Sequence, residues 1–591
     1  MNKIKRIPYG ISDFEAVNSK NEYYVDKTMF IPELEKTRFV FLIRPRRFGK
    51  SLFLSTLQSY YDIKKNERFE EFYKDTWILN NPTEDRAKYL VLYFNFSAVL
   101  KEKDKVQDDF NRYCNLEIDT FMDKYQEYIP KQIIDTVNCL ETAHEKLHLL
   151  ASKLREQDYK IYLFIDEYDN FTNTLLTDFG EVEYKRITRQ AGYFKQFFTN
   201  LKLLTSGSGS GLARLFITGV SPVTMDDVTS GFNLGDNISI SPAFNNLLGF
   251  TETDVNAILD YYISVGELQV DKEEALETMK KWYNNYQFSN KAHESVYNTD
   301  AVLYFLKEAI RSKEIPSNLI DDNLRMDYGK LQYLILKDKE LNGNFQKLSD
   351  IIKHNGIESN IKTSFPFDKI THKENFISLL YFFGLLTYSD KTTSNLPFLC
   401  IPNETIRQMI FEYIRNSFEE AYDFSLDIYE LLLLIRDMAF KGTFKPAFEF
   451  IESEIKKQTS LRDFIDGESI VKTFYLSYLN IYDFYISASE EEMNKGYADL
   501  IMKPFYIKYK DIKFAYLIEL KYIKRNVKDK EFDDLLQQKI QEAKLQLDQY
   551  AEDEYERQML GLPPYGMVTL KKVIIVFHGW ELAYCEEVDH R

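Results

Sequence analysis

A chain of 591 residues exceeds one ordinary domain, and length alone predicts two to four. With 44% hydrophobic and 28% charged residues it reads as soluble and globular, and a net charge of −17 excludes a surface coated with nucleic acid while allowing a local basic groove. Four cysteines far apart, with no CxxC spacing, exclude a disulfide framework or cysteine zinc site and fit a reducing cytoplasm; MNKIKRIPYG lacks a signal-peptide core, and no run of about 18 apolar residues predicts a membrane helix.

In chain order, FVFLIR at 39–44 is an apolar run read as a buried strand, followed by a loop and an amphipathic stretch over roughly 50–62. YLVLYFNF at 89–96 is a second strand, a helical region covers roughly 103–156, and KIYLFI at 160–165 is a third strand ending in two acids. Residues 185–204 read as helix, SGSGSG at 206–211 as a flexible loop, and RLFITG at 214–219 as a fourth strand. Strands alternating with helices predict a parallel sheet covered on both faces. From about 250 to 440 the pattern is mostly helical. Beyond it come a helix near 468–480, strands at 496–502 and 513–520, a long helix over roughly 528–552, and a last strand, KKVIIVF, that closes the chain. The division expected is 1–250, 251–440 and 441–591.

Arg44 to Ser51, RPRRFGKS, lies between a strand and a helix. A phosphate loop needs backbone N–H groups around a phosphate, a lysine reaching the β- and γ-phosphates, and a hydroxyl on Mg²⁺. Gly49, Lys50 and Ser51 supply the end of that pattern. Arg44 stands where its first glycine is usual, while Arg46 and Arg47 add positive charge beside Phe48. Taken alone, GKS on a surface turn is the alternative. The second piece is Asp166-Glu167 at the end of the third strand, where an Asp can hold the Mg²⁺ shell and a following Glu can orient and deprotonate water. One strand, 89–96, falls between the two in sequence, which suits ATPases with a strand inserted between phosphate and metal strands. Thr218 is a candidate γ-phosphate sensor or an ordinary strand threonine.

YYVDKTMFIPELE, FLIRPRRFGKSLFLSTL, LFIDEYDN and LFITGVSPVTMDDVTSGFNLGDNIS resemble the bacterial AAA-ATPase-like family over roughly residues 3–250. The resemblance implies a P-loop ATPase core in which the arginine-rich loop is the family's own form. KWYNNYQF at 281–288 is similar to the family's lid motif, with Asn284 and Asn285 in place of its Asp and Gly. Asp26 and Lys27 match a motif to which no role is assigned.

A second constellation lies near the C-terminus. Asp499 falls on one predicted strand, and Glu519 and Lys521 share a face of the next, separated by about 7 Å. Two carboxylates and a lysine so placed can bind Mg²⁺ and orient water for phosphodiester attack. Glu468 begins the preceding helix and can complete the metal shell, and Gln546 and Tyr550 share a face of the following helix. In this order Glu468, GYAD, IELK and QLDQY resemble the PD-(D/E)XK nuclease superfamily over about 465–580. The resemblance implies a smaller α/β restriction-endonuclease-like domain and catalytic roles for Asp499, Glu519 and Lys521. Between Lys503 and Lys530 nine Lys or Arg face three Asp or Glu, a candidate nucleic-acid patch or a lysine-guarded edge strand.

His144-Glu145-Lys146-Leu147-His148 matches the zinc-protease pattern HExxH, and we reject it because Lys146 occupies a position such helices keep uncharged and no downstream Gly-x-x-His follows. The expected protein therefore uses ATP and Mg²⁺, with nucleic acid, DNA before RNA, as partner of the C-terminal domain. No membrane contact is expected, and a homo-oligomer is open. Family analogy points to defence or mobile-element biology. The rival is an ATP-switched scaffold whose C-terminal domain binds nucleic acid without cutting.

Overall fold

The structure is a computed structural model. It describes residues 4–99, 102, 105–189, 192–205, 211–223, 227, 235–326, 336–337, 340–341, 343–389, 396–457, 465, 467–493, 496–506, 508–550, 560, 562 and 566–588. The chain divides into two compact units, one of residues 1–316 with 359–397, the other of 317–358 with 398–591.

The first unit is built on five strands, β1 (Phe39–Ile43), β2 (Leu90–Asn95), β3 (Ile161–Asp166), β4 (Leu212–Gly219) and β5 (Asp236–Asn237). All neighbours are parallel, in the order β2-β3-β4-β1-β5. Parallel strands covered on both faces read as unbroken apolar runs, and β3 is buried at every position. This is the parallel-sheet architecture of a P-loop ATPase. One detail of the sequence reading is corrected: the strand lying between β1 and β3 is β4, and β2 lies on the outer side of β3. The phosphate and metal strands are therefore next-but-one neighbours. Helix α1 (Lys50–Tyr61) follows β1. The helix expected over 185–204 is two helices, Asn170–Thr188 and Tyr193–Thr205. Ser206 to Ser210, most of the SGSGSG loop, lies outside the described residues. Helix α2 (Thr299–Ser312) belongs to the same unit.

In the second unit, α3 (Glu468–Leu479) precedes a five-stranded sheet of β6 (Tyr485–Met493), β7 (Gly496–Pro504), β8 (Phe514–Ile523), β9 (Thr569–His578) and β10 (Glu581–Glu587), in that spatial order. The pair β8–β9 is parallel and the others antiparallel. A parallel pair needs a crossover, and the long helix α4 (Asp529–Tyr550) lies within it. Ile540, Ala543 and Leu547 of α4 close a core with Ala498, Ile501, Leu517 and Ile574. KKVIIVF does not close the chain: β10 follows it, and β6 precedes the first expected strand. Among the described residues no helix is long and apolar enough to cross a membrane.

Candidate active sites

The first site forms where β1 gives way to α1. Gly49 caps α1 with φ 89°, a left-handed backbone that strains any side chain. The turn frees the first N–H groups of α1 for an anion. Lys50 Nζ folds over the loop and donates to the carbonyls of Arg44 at 3.1 Å and Pro45 at 2.8 Å. Burial pushes its pKa down, against the pull of Glu167 and Asp166, and Arg46 stands close enough to add to the depression. Ser51 Oγ donates to Asp166 Oδ2 at 2.7 Å, so the hydroxyl and carboxylate expected to share a metal shell already touch. Burial raises the Asp166 pKa, and the Ser51 hydrogen bond moderates the rise.

Glu167 has φ 53°, a conformation non-glycine residues rarely adopt. Its N–H donates to Asp166 Oδ1 at 2.9 Å, and its Oε2 accepts from Asn170 Nδ2 at 3.0 Å. Thr218 stands on the inserted strand β4, and its buried Oγ1 has no hydrogen-bond partner among the described residues. A hydroxyl left so, on the strand between phosphate loop and acid pair, fits a group that meets an incoming oxygen. A hydroxyl, a carboxylate and substrate phosphates suit Mg²⁺, which binds few protein oxygens.

The arginines divide their work. Arg44 is buried and turned into the protein: it donates to the carbonyls of Ile43, Ser239 and Phe244, and its guanidinium lies 4.2 Å from the centre of the Phe288 ring. Arg47 donates to Asp300 Oδ2 at 2.8 Å, in the first turn of α2. Phe48 is buried and packs edge-on against Tyr286 and Phe288, so its offer to a nucleotide is backbone. Both rings belong to KWYNNYQF, whose Asn285, at the family's glycine position, has φ 72°, a region asparagine tolerates. Lys27 pairs with Asp254 at 2.8 Å, and Asp26 accepts from the backbone N–H of Thr28 and Trp77.

Asp169 went unnoticed in the sequence. It accepts from the N–H groups of Val220 at 3.0 Å and Ser221 at 2.8 Å, tying the turn after β3 to the end of β4. The approach is close enough that a Cβ on Gly219 would lie 2.4 Å from Asp169 Oδ1. The only written signal is a second aspartate three residues after Asp166.

The second site forms where β7 and β8 run side by side below α4. Asp499 Oδ2 accepts from Leu520 N–H at 3.0 Å and Lys521 Nζ at 3.5 Å; Glu519 Oε2 accepts from Lys521 Nζ at 2.9 Å, and Oε1 from Asp499 N–H at 3.3 Å. Glu519 is 0% exposed, and burial first, then Asp499, push its pKa up to about 8. Burial alone would also raise Asp499, but Lys472 and Lys521 outweigh it and hold that carboxyl below its ordinary value. Lys521 is raised because the two carboxylates overcome its burial. An open pocket of about 510 Å³ is lined by Glu468, Asp499, Lys521, Lys539, Glu542 and Gln546 among others. Glu468 is paired with Lys353 at 3.4 Å. Among the described residues no group of three or more His, Cys, Asp or Glu can by itself hold a metal ion. Asp499 and Glu519 nonetheless provide the one or two carboxylates on which Mg²⁺ settles while keeping its waters. The Tyr550 side chain lies outside the described residues.

The basic run from 503 to 530 is not one patch. Lys503 is buried and Lys508 pairs with Asp483 at 2.6 Å, near one end of β8. Lys524 and Arg525 stand at the other, roughly 35 Å away by strand length, where with Gly467, Tyr522 and Asn526 they line a pocket of about 450 Å³. This pocket and the carboxylate pocket share Tyr522. Of HEKLH, His148 Nδ1 meets Asn200 Oδ1 at 3.1 Å and Lys146 is buried against Asp119 at 3.2 Å.

Residues 8–229 match the family described as predicted AAA-ATPase, and residues 466–587 match the PD-(D/E)XK nuclease superfamily. The chain is 27% identical over 324 residues to an "Uncharacterized protein in vnfD 5'region" of Azotobacter chroococcum mcd 1, covering 52% of this chain and 53% of that relative's length. Among solved structures it aligns with the Aeropyrum pernix ORC2 protein in ADPNP-ADP complexes (TM-score 0.27, 13% identity, 70% of this chain and 97% of that one). It also aligns with the Aeropyrum pernix ORC1 protein in complex with DNA (TM-score 0.24, 10% identity, 66% and 90%).

Proposed function

We propose that this chain, which joins an AAA-ATPase-like domain to a PD-(D/E)XK nuclease superfamily domain, hydrolyses ATP with Mg²⁺ at the phosphate loop and cleaves nucleic acid, DNA foremost, at Asp499, Glu519 and Lys521. The observation that carries the reading is the meeting of those three side chains, with Lys521 Nζ within 3.5 Å of both carboxylates, at an open pocket that Asp499 and Lys521 line and Glu519 backs from the interior.

At the first site Lys50 would exchange two neutral carbonyls for the β- and γ-phosphates, a stronger charge-assisted contact. Ser51 and Asp166 would hold the metal, Glu167 would orient and deprotonate the attacking water, and Thr218 would meet the γ-phosphate. At the second site Asp499 and Glu519 would hold the metal, and Lys521 would stabilise charge on the phosphodiester. A divalent ion supplies both sites with charge neutralisation and a more acidic bound water. Lys524 and Arg525, beside the carboxylate pocket, would take up flanking phosphates.

The test is cleavage of plasmid DNA by the purified chain with Mg²⁺. Nicking or linearisation that EDTA and Asp499→Asn both abolish is the expected result. DNA binding without cleavage, in Mg²⁺ or Mn²⁺ and with or without ATP, would replace this reading with an ATP-switched binding protein.

A further inference from the structure

Behind Asp499 of the candidate nuclease pocket lies a buried lysine that no motif announces. Lys472 lies one turn after Glu468 on α3, is 2% exposed, and places Nζ 3.1 Å from Asp499 Oδ1. With Leu520 N–H and Lys521 on Oδ2, both Asp499 oxygens are engaged by donors. An ammonium so buried is stable only against fixed negative charge. Among the described side chains the formal charges pair off, Lys472 and Lys521 with Asp499 and Glu519, Lys353 with Glu468 at 3.4 Å, and Lys539 with Glu542 at 2.8 Å, and burial, pushing the Glu519 pKa up to about 8, trims the negative side further. A divalent ion approaching Asp499 meets, on Oδ1, a cation already in place. A phosphodiester arriving with the ion brings the missing charge.

We propose that Lys472 is a resident counter-cation of the nuclease site, held on Asp499 where a divalent ion would bind, so that metal is disfavoured in the empty pocket and enters together with nucleic-acid phosphate. Lys472 is thus a positioning residue acting through Asp499. This deepens the nuclease reading and rests on it. A lysine that merely braced Asp499 would make the opposite prediction, because its loss would loosen the carboxylate and weaken metal binding.

The experiment is calorimetric titration of the full chain with Ca²⁺, without nucleotide, with and without a short DNA duplex. Lys472→Met should tighten Ca²⁺ binding in the absence of DNA by about tenfold or more, since a unit charge a few ångströms from the ion is removed. Adding duplex should tighten Ca²⁺ binding strongly in the parent and much less in Lys472→Met. Lys472→Arg, which keeps the charge, should stay within about twofold of the parent. If Lys472→Met does not fold, Lys472→Gln, neutral but able to donate to Asp499, makes the same comparison. Equal or weaker Ca²⁺ binding in the neutral variants, with Asp499→Asn abolishing it in all, would overturn the proposal and leave the nuclease reading standing. Ca²⁺ binding that ignores Asp499→Asn in every variant would remove the reading and the proposal with it.

Discussion

Lys50 rests on the carbonyls of Arg44 and Pro45, in a loop whose φ angles at Arg47 and Gly49 are both left-handed. An ammonium buried on neutral acceptors is poorly compensated, so a phosphate is a better partner than anything the empty loop offers. Lys50→Ala should therefore weaken ATP binding at least tenfold by calorimetry, and unchanged affinity would show that the loop is no phosphate site. Glu167 makes a different prediction. It touches neither Lys50 nor Ser51 through any hydrogen bond described above and is oriented by Asn170 at 3.0 Å. Glu167→Gln should bind ATP as the parent does and lose turnover by about a hundredfold or more. A variant hydrolysing at the parental rate would place the water-activating group elsewhere.

Arg44 links elements. Its donors end on Ile43, Ser239 and Phe244, and its face covers Phe288, so the end of β1, the segment after β5 and the aromatic segment around Phe288 share one buried cation. Arg44→Met keeps much of the volume but strips three carbonyls of a charged donor, and should cost about 3 kcal/mol of stability in urea unfolding. Arg44→Gly, which restores the commoner phosphate-loop pattern, should likewise destabilise without raising ATPase activity. An Arg44→Gly chain as stable as its parent and more active would mean that the arginine does not brace these elements. None of Arg44's distant partners could be read from the sequence, because they lie 195 to 244 residues away. The central strands were legible because burial on both faces leaves unbroken apolar runs such as IYLFID. The outer strands of the second sheet were not: ISASEEEM and ELAYCEE are edge strands, one neighbour each, with acids where a central strand has Val or Ile. In the candidate nuclease site the grouping of Glu519 with Lys521 was legible because alternation along a strand fixes which residues share a face. Lys472 was not, since Glu-x-x-x-Lys is a common surface pairing and nothing in it foretells burial.

At the scale of the whole chain the question is whether the two proposed sites in one polypeptide act as one machine. A net charge of −17 opposes general affinity for DNA, and the exposed cations nearest the carboxylate pocket reduce to a few, Lys524 and Arg525 foremost. The lysines of the pocket are taken up by its carboxylates among the described side chains, which limits their attraction for phosphate. Binding should therefore be weak unless something biases the protein toward a competent state, and nucleotide can do so only if it binds two states with different affinity. Cleavage is accordingly expected to depend on nucleotide state. Asp499→Ala should abolish cutting and leave ATP hydrolysis within about twofold of the parent, because the described lining of the carboxylate pocket comes from residues 468–546 of the second unit. Lys50→Ala should change the cleavage rate although Lys50 belongs to the other unit. The measurement is DNA cleavage in Mg²⁺ without nucleotide, with ATP, and with a non-hydrolysable analogue, for the parent and both variants. Dependence on ATP but not on the analogue would assign the switch to hydrolysis, and equal dependence on both would assign it to binding. Identical rates for the parent in all three conditions, matched by Lys50→Ala, would mean two independent enzymes sharing one chain.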